Sequence, residues 1–374
     1  QGPGGAGGGP PPPPAERRLR RALIGVAMAL AVALLLVAGI IVYWRLYLLG
    51  PEGDPFTRGP YLVRVGPDSA ELRWRTEPTR AVTVAALAGT GREVVARDGR
   101  LTGLQPGTRY SWTASIDGVG RASGGFTTPS PDPARPVRIA VLADYGGGGD
   151  EQWAVARTIA AERPDLALTA GDNSYLTASG ILLDRNIFRP LREVMRNAPV
   201  YIGLGDHESL PPGDGAIRAA FGIPAGGRYT VEHGPVQAVI LGDAPDAEGL
   251  AFARRELARG AFAHRFVVVH RPPQPGQPLL AIARAAGVDA ILSGHLHRYE
   301  RRMVDGVRAF TVGTGGGPIG ADEFTRETAG AEVSLTEFGH LRIDVEGPRV
   351  RYTFVNLAGQ VRDHAVVSDR ASTP

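Results

Sequence analysis

The sequence predicts an α/β domain preceded by a small all-β sandwich and a single transmembrane helix. Three observations carry this prediction. Residues 22–44 contain no charged side chain. Residues 58–128 read as short strands broken by turn signals. From residue 137 onward apolar strands alternate with helical spacing, and several of those strands run directly into Asp or His.

At 374 residues the chain is longer than one ordinary domain, which suggests two plus extensions. Its 43% hydrophobic and 21% charged content is that of a globular protein. The pI of about 9.4 invites a nucleic-acid reading, but the charge is placed wrongly for it. Residues 1–50 hold five Arg and one Glu, a balance of +4, so the remainder of the +3 total is −1. A nucleic-acid binder carries its basic stripe on the folded domain itself, so no nucleic-acid partner is expected. There is no Cys, which excludes disulfides, zinc–thiolate sites and thiol nucleophiles.

Residues 1–21 open with a Gly/Pro tract and are expected to form a disordered cytoplasmic tail, because such a tract has nothing apolar to bury. Arg17, Arg18, Arg20 and Arg21 precede the uncharged run, whose 23 residues span about 34 Å as a helix. Tyr43, Trp44 and Tyr47 gather at its far end, as interfacial aromatics do. A single membrane span over 22–49 follows, with the amino terminus cytoplasmic and the rest of the chain outside the cell membrane. A cleaved signal peptide is the alternative, but the run is longer than the usual signal core and offers no small-x-small site near its end.

Residues 55–130 are expected to form the small sandwich. Leu72 and Trp74 alternate with polar neighbours, 81–86 and 109–116 are strand-like, and 104–110 make a turn into a strand. Residues 127–136, with four prolines, form the linker. In the α/β part, strands over 137–143, 166–170, 200–204, 266–269 and 290–292 alternate with helices over 151–163 and 181–196. The chain closes with strands over 339–345 and 349–356.

Each of the five strands delivers Asp or His at its carboxyl end, where ligands gather in α/β sheets. Oxygen and nitrogen donors of this kind suit Fe, Zn or Mn. Two such ions clamp a phosphoryl group and activate water for in-line attack. One strand-end Asp or His is commonly a turn or cap residue, and one Gly-His-x-His is a weak signal. Five blocks in order are another matter. Asp144-Tyr145-Gly146, Gly171-Asp172-Asn173-Ser174-Tyr175, Gly205-Asp206-His207-Glu208, Val267-Val268-Val269-His270 and Gly294-His295-Leu296-His297 occur in sequence, followed by Tyr299-Glu300-Arg301.

These blocks resemble the calcineurin-like metallophosphoesterase superfamily, and within it the purple acid phosphatases. Arg58-Gly59-Pro60-Tyr61-Leu62 and Leu104-x-x-Pro106-Gly107-Thr108-x-Tyr110 resemble the fibronectin type III-like domain that precedes their catalytic domain. The resemblance implies a metallophosphoesterase-type β-sandwich flanked by helices over 137–370. It implies two metal ions, Fe plus Fe, Zn or Mn, and hydrolysis of phosphomonoesters or phosphodiesters by a hydroxide that the metals hold. Carried over by position, Asp172 bridges the two ions. Asp144, Tyr175 and His297 complete the first; Asp206, His270 and His295 complete the second. His207 is the catalytic group, facing the substrate as proton donor or charge stabiliser. Tyr299 is a candidate substrate-binding pocket wall, or else a core residue. Tyr175 takes over from the His that other superfamily members carry at position 146.

One departure is plain. The family's Asn is Asp206 here, which adds a negative charge beside an anionic substrate while still offering an oxygen. Gly146–Gly149 lacks the Lys-Ser/Thr pair of a P-loop and is expected to rim the site. Residues 313–317 are expected to form a turn close to the metals. Arg301 and Arg302 could steer phosphate. His233, His264, His340 and His364 lie outside the blocks and are expected at the surface or in packing. The reading from a different class is a membrane-tethered binding or adhesion protein with a vestigial metal site. It is disfavoured because every ligand position keeps a metal-competent residue.

Overall fold

The computed structural model describes residues 13–43, 55–175, 178, 180–319 and 328–367. The chain forms two compact units, residues 1–52 and 53–374. Within the first, helix α1 (Pro14–Tyr43) opens eight residues before the uncharged run, inside the stretch expected to lack order. Proline suits a first helical turn because its missing N–H would have had no partner there. Glu16 stands in that turn and pairs with Arg20 at 3.2 Å. The helix's large apolar residues from Leu23 to Val42 are more than half exposed, and it is long and apolar enough to cross a membrane. The remainder of the predicted span, 44–49, and residues 1–12 lie outside the described residues.

The second unit begins with seven antiparallel strands: β1 (Phe56–Val65), β2 (Ser69–Thr76), β3 (Val82–Ala88), β4 (Glu93–Ala96), β5 (Arg100–Thr102), β6 (Arg109–Ile116) and β7 (Val119–Thr127). They form two sheets, β1-β2-β5 and β4-β3-β6-β7. Leu62, Leu72, Val84, Tyr110, Trp112 and Phe126 fill the core between them. Strand β1 serves two cores, because successive residues point to opposite faces. Leu62 turns into the sandwich, while Tyr61 and Val63 pack with Phe188, Phe221 and Ile202 of the following domain. The Tyr61 hydroxyl donates to the Ala220 carbonyl at 2.9 Å, Trp112 Nε1 donates to the Arg196 carbonyl at 3.0 Å, and Arg58 pairs with Asp184 at 2.6 Å.

The larger domain is a four-layer sandwich. Strands β8 (Val137–Leu142), β9 (Leu166–Ala170) and β10 (Val200–Gly203) run parallel, and helix α2 (Asp150–Glu162) crosses between the first two. Strands β11 (Tyr229–His233), β12 (Val236–Ile240), β13 (His264–Val268), β14 (Ala290–Ser293), β15 (Tyr299–Val304), β16 (Val307–Val312) and β17 (Val333–Leu335) build the second sheet. Strands β18 (Gly339–Glu346), β19 (Arg349–Asn356) and β20 (Val361–Val367) return to complete the first, in the order β10-β9-β8-β18-β19-β20. Period-two alternation sorts the layers. Val137, Ile139 and Val141 meet Phe266, Val268 and Leu292 between the sheets, while Ala140 and Leu142 face the helices with Val155 and Ile159. On the far side Val267, Val269 and Ile291 pack against the helices Ala247–Leu257 and Pro278–Ala285.

The single helix expected over 181–196 is broken. A short helix, Gly180–Leu183, widens into one π-type turn, Asp184–Phe188, and regular helix resumes only at Arg192–Asn197. Pro190 has no N–H to continue the ladder and crowds the preceding turn.

Candidate metal centre

The predicted site residues come from the carboxyl ends of strands in both sheets. Asp144 follows β8, Asp172 follows β9, and Asp206 and His207 follow β10; His270 follows β13, and His295 and His297 follow β14. The turns that carry them are tight. Asp144, Asp172 and His295 all sit in the left-handed region, at φ of 54°, 51° and 68°. Non-glycine residues rarely occupy it, and functional sites are where such strain collects.

Several positions around the site need glycine because backbone and ligand approach too closely for anything larger, Gly205 and Gly146 among them. A Cβ on Gly205 would lie 2.3 Å from Asp172 Oδ1 and 2.5 Å from its amide nitrogen. A Cβ on Gly146 would lie 2.3 Å from the Ser174 amide nitrogen. Position 146 therefore cannot carry a histidine with this backbone. Tyr175 fills the place instead, its hydroxyl 3.0 Å from His297 Nε2.

The side chains converge. The ligand atoms of Asp206, His270 and His295 lie within 4.8 Å of one another, and so do those of Asp144, Asp172 and His270. His297 Nε2 is 3.6 Å from Asp144 Oδ1. His207 stands at the open side with its side chain 36% exposed; its Nε2 is 3.9 Å from Asp172 Oδ2, and its ring meets Tyr175 edge-on at 4.7 Å. His207 Nδ1 has no partner among the described residues.

The donor set fits cations. His270 Nδ1 donates to the Ala170 carbonyl at 2.7 Å and His297 Nδ1 to the Pro318 carbonyl at 2.7 Å, which turns both Nε2 atoms inward. His270 Nε2 then faces Asp206 Oδ1 at 2.9 Å and Asp172 Oδ1 at 3.4 Å. An imidazole nitrogen this close to two carboxylate oxygens needs positive charge between them, either a proton on the ring or a bound cation. The titration behaviour says the same. Burial pushes Asp144 up to about 8, with Asp172 adding to the rise and His270 opposing it. Burial alone would lower His270, but the bond to Asp206 and the charges of Asp144 and Asp172 lift it to about 10. The same bond from His270 holds Asp206 far below the usual carboxylate range. Burial, then the charges of Asp144 and Asp172, push the Tyr175 hydroxyl upward. His295 is lowered by burial and by the nearby positive charges of His270 and Arg271. A cluster this rich in buried negative charge calls for cations to balance it.

Two residues of importance were not singled out by sequence. Glu208, 1% exposed, accepts the backbone N–H groups of Gly205 (2.7 Å), Asp172 (3.1 Å), Asn173 (2.8 Å) and Ser174 (3.1 Å). It ties the second and third blocks together, and burial followed by the Asp172 charge raises it to about 7. Its place in the third block was visible, but its role needed the fold. Arg271, beside His270, donates through Nη1 to His295 Nε2 at 2.9 Å.

Tyr299 is a correction. It is 1% exposed, stacks on Phe354 at 4.2 Å and donates to Asp363 Oδ2 at 2.8 Å. It belongs to the core between the sheets. Arg301 pairs with Asp363 and Glu332, and Arg302 is buried near Glu300, so neither faces the centre. His233, His264 and His340 are buried in packing and His364 is exposed.

Residues 137–299 match the family model for calcineurin-like phosphoesterases. They form a calcineurin-like phosphoesterase domain. The matched segment contains every Asp, His and Tyr brought together above, and the enzyme class is that of a metal-dependent phosphoesterase. No curated protein matches the chain in sequence. Among solved structures, the purple acid phosphatase PPD1 of yellow lupin (Lupinus luteus) is similar with 15% identity and a TM-score of 0.68, covering 84% of this chain and 75% of that one. PhoD is similar with 12% identity and a TM-score of 0.60, covering 85% and 90%. GAP50, the anchor in the inner membrane complex of Plasmodium, shows 15% identity and a TM-score of 0.51, covering 64% and 90%. At these identities the likeness is one of fold.

Proposed function

We propose that this chain is a membrane-anchored phosphoesterase that hydrolyses phosphomonoesters at a binuclear metal centre of the purple acid phosphatase kind. The observation that carries the reading is the convergence of Asp144, Asp172, Tyr175, Asp206, His270, His295 and His297 from five strand ends. Asp144, Tyr175 and His297 would hold one ion, Asp206, His270 and His295 the other, and Asp172 both. Iron at the first position and Fe, Zn or Mn at the second suit these donors. When bound, such a pair supplies Lewis-acid neutralisation of the phosphoryl oxygens and a water acidic enough to attack.

The chain's own residues do the rest. Glu208 fixes the backbone of 172–174 against Gly205, so the carboxylate of Asp172 is held in place before substrate arrives. Hydrolysis forms a bond from phosphorus to the water oxygen and breaks the bond to the alcohol oxygen. The departing alkoxide needs a proton. His207, with its side chain 36% exposed and Nδ1 without a partner among the described residues, is the proposed donor. The long apolar helix α1 supports anchoring through residues 22–49, with the enzyme outside the cytoplasm, since four arginines precede the apolar run.

The fold match to GAP50, described as an anchor, gives the tethered non-enzymatic reading its one support. The two separate in one assay. The full chain, supplied with Fe²⁺ and Zn²⁺, is tested on p-nitrophenyl phosphate and bis(p-nitrophenyl) phosphate. Turnover of the monoester above the diester, abolished by chelator, is expected. Activity on neither ester would leave the anchor reading.

A further inference from the structure

Position 206 carries a full negative charge where the family carries a neutral amide, at a site whose substrate is an anion. Beside it, in addition to the imidazoles of His270 and His295, stands the guanidinium of Arg271. Arg271 is the residue after His270, and its position is set by the backbone: the His270 amide donates to the Gly242 carbonyl at 2.8 Å and the Arg271 amide to the Asp243 carbonyl at 3.0 Å. Its side chain is set too. Nε pairs with Asp243 Oδ1 at 3.0 Å, Nη2 lies 3.6 Å from Asp206 Oδ1, and Nη1 donates to His295 Nε2 at 2.9 Å.

A guanidinium has five N–H groups in a rigid fork. Three contacts hold this one, so each Nη keeps a second N–H. The side chain is 43% exposed, as befits a group at the rim of the centre and unlike the buried pairs of the core. Asp243 contributes by pairing with the arginine.

Resting on the metal-centre reading above, we propose that Arg271 is a phosphate-binding residue of this site and that it offsets the carboxylate of Asp206. The two remaining N–H groups are the donors it offers to an anionic phosphoryl group, and the Asp206–Arg271 pair together has the neutrality that an amide has alone. The pair makes a specific statement about coupling. Removing the arginine exposes the substrate anion to an unbalanced carboxylate, whereas removing both charges does not.

The test is a double-mutant cycle on the full chain in detergent, loaded with Mn²⁺. Inorganic phosphate binding is measured by calorimetry, and metal content and thermal midpoint are recorded for each protein. Arg271→Gln is expected to weaken phosphate binding about tenfold with Asp206 present, the scale of one partly exposed charge-assisted hydrogen bond. In the Asp206→Asn background the same substitution is expected to cost no more than about threefold, since coupled neighbours are not additive. Equal costs in both backgrounds, or no cost in either, overturn the proposal while leaving the metal centre standing, provided metal content is unchanged. A parent protein that holds neither Mn²⁺ nor phosphate overturns the metal-centre reading and this inference with it.

Discussion

Gly205→Ala tests how the centre is held. Gly205 has φ −105° and ψ −170°, a conformation open to any residue, so the substitution strains no backbone. Its whole effect is steric. The new methyl would lie 2.3 Å from Asp172 Oδ1, and real contacts of this kind stay above about 3.0 Å, so the carboxylate must retreat by about 0.7 Å. Rotation alone does not relieve it, because the Asp172 amide nitrogen is also only 2.5 Å away. Overpacking of this kind costs about 1–3 kcal/mol, offset by about 0.4–1 kcal/mol from the stiffer unfolded chain. A net loss of about 1–2 kcal/mol is expected. The larger effect falls on metal binding, where ligand distances must hold to about 0.2 Å. Gly215→Ala is the control, with nothing within 4 Å of its new methyl. Elemental analysis after dialysis and the thermal midpoint are read for both variants. Gly205→Ala should lose most of its metal and unfold earlier, while Gly215→Ala should keep its metal and unfold no earlier than the parent. Full metal occupancy in Gly205→Ala would refute the claim that this close approach sets Asp172.

His207→Asn should lower kcat roughly 10²- to 10⁴-fold while metal content stays at the parent level, read by steady-state kinetics beside elemental analysis. Loss of metal in that variant would place His207 among the ligands. Tyr299→Phe should leave kcat and KM within about twofold of the parent and cost about 1–2 kcal/mol in a denaturant titration, the worth of its bond to Asp363. A large rise in KM would return Tyr299 to the pocket. His233 is buried, its Nδ1 has no partner among the described residues, and burial lowers it from 6.5 to about 4. The unfolded chain takes up a proton between those values and the folded one does not, so stability should fall as pH drops from about 6.5 to 4, by about 3 kcal/mol at most. His233→Gln should flatten that part of the profile of thermal midpoint against pH, and an unchanged slope would contradict the assignment.

Much of the site was legible because its chemistry is local. Five strands end in Asp or His, and period-two alternation within them set the strands apart from the helices around them. The strands over 109–116, 166–170 and 349–356 were read to the residue. What escaped depends on contacts far apart in sequence. Tyr299 follows a ligand block, yet only the pairing of β15 with β16 and the stacking on Phe354 place its ring in the core. Glu208 reads as a polar residue in a loop until residues 172–174 are brought against it, and nothing local marks Arg271, whose partners lie 24, 28 and 65 positions away in the chain. Strand β1 looked like part of one sandwich, but alternation cannot say that its second face is covered by another domain. The helix over 181–196 failed for a local reason, since its apolar spacing outweighed the signal of Pro190.

The central claim is that Asp144, Asp172, Tyr175 and His297 hold iron in a binuclear centre. Metal analysis and the visible absorption spectrum of the purified full chain test it most directly. Two metal ions per chain, one of them iron, with a purple absorption band from a tyrosinate on ferric iron, are the predicted result; loss of the band in Tyr175→Phe would assign it. Two divalent ions and no visible band, with phosphatase activity intact, would contradict the assignment of Tyr175 to iron.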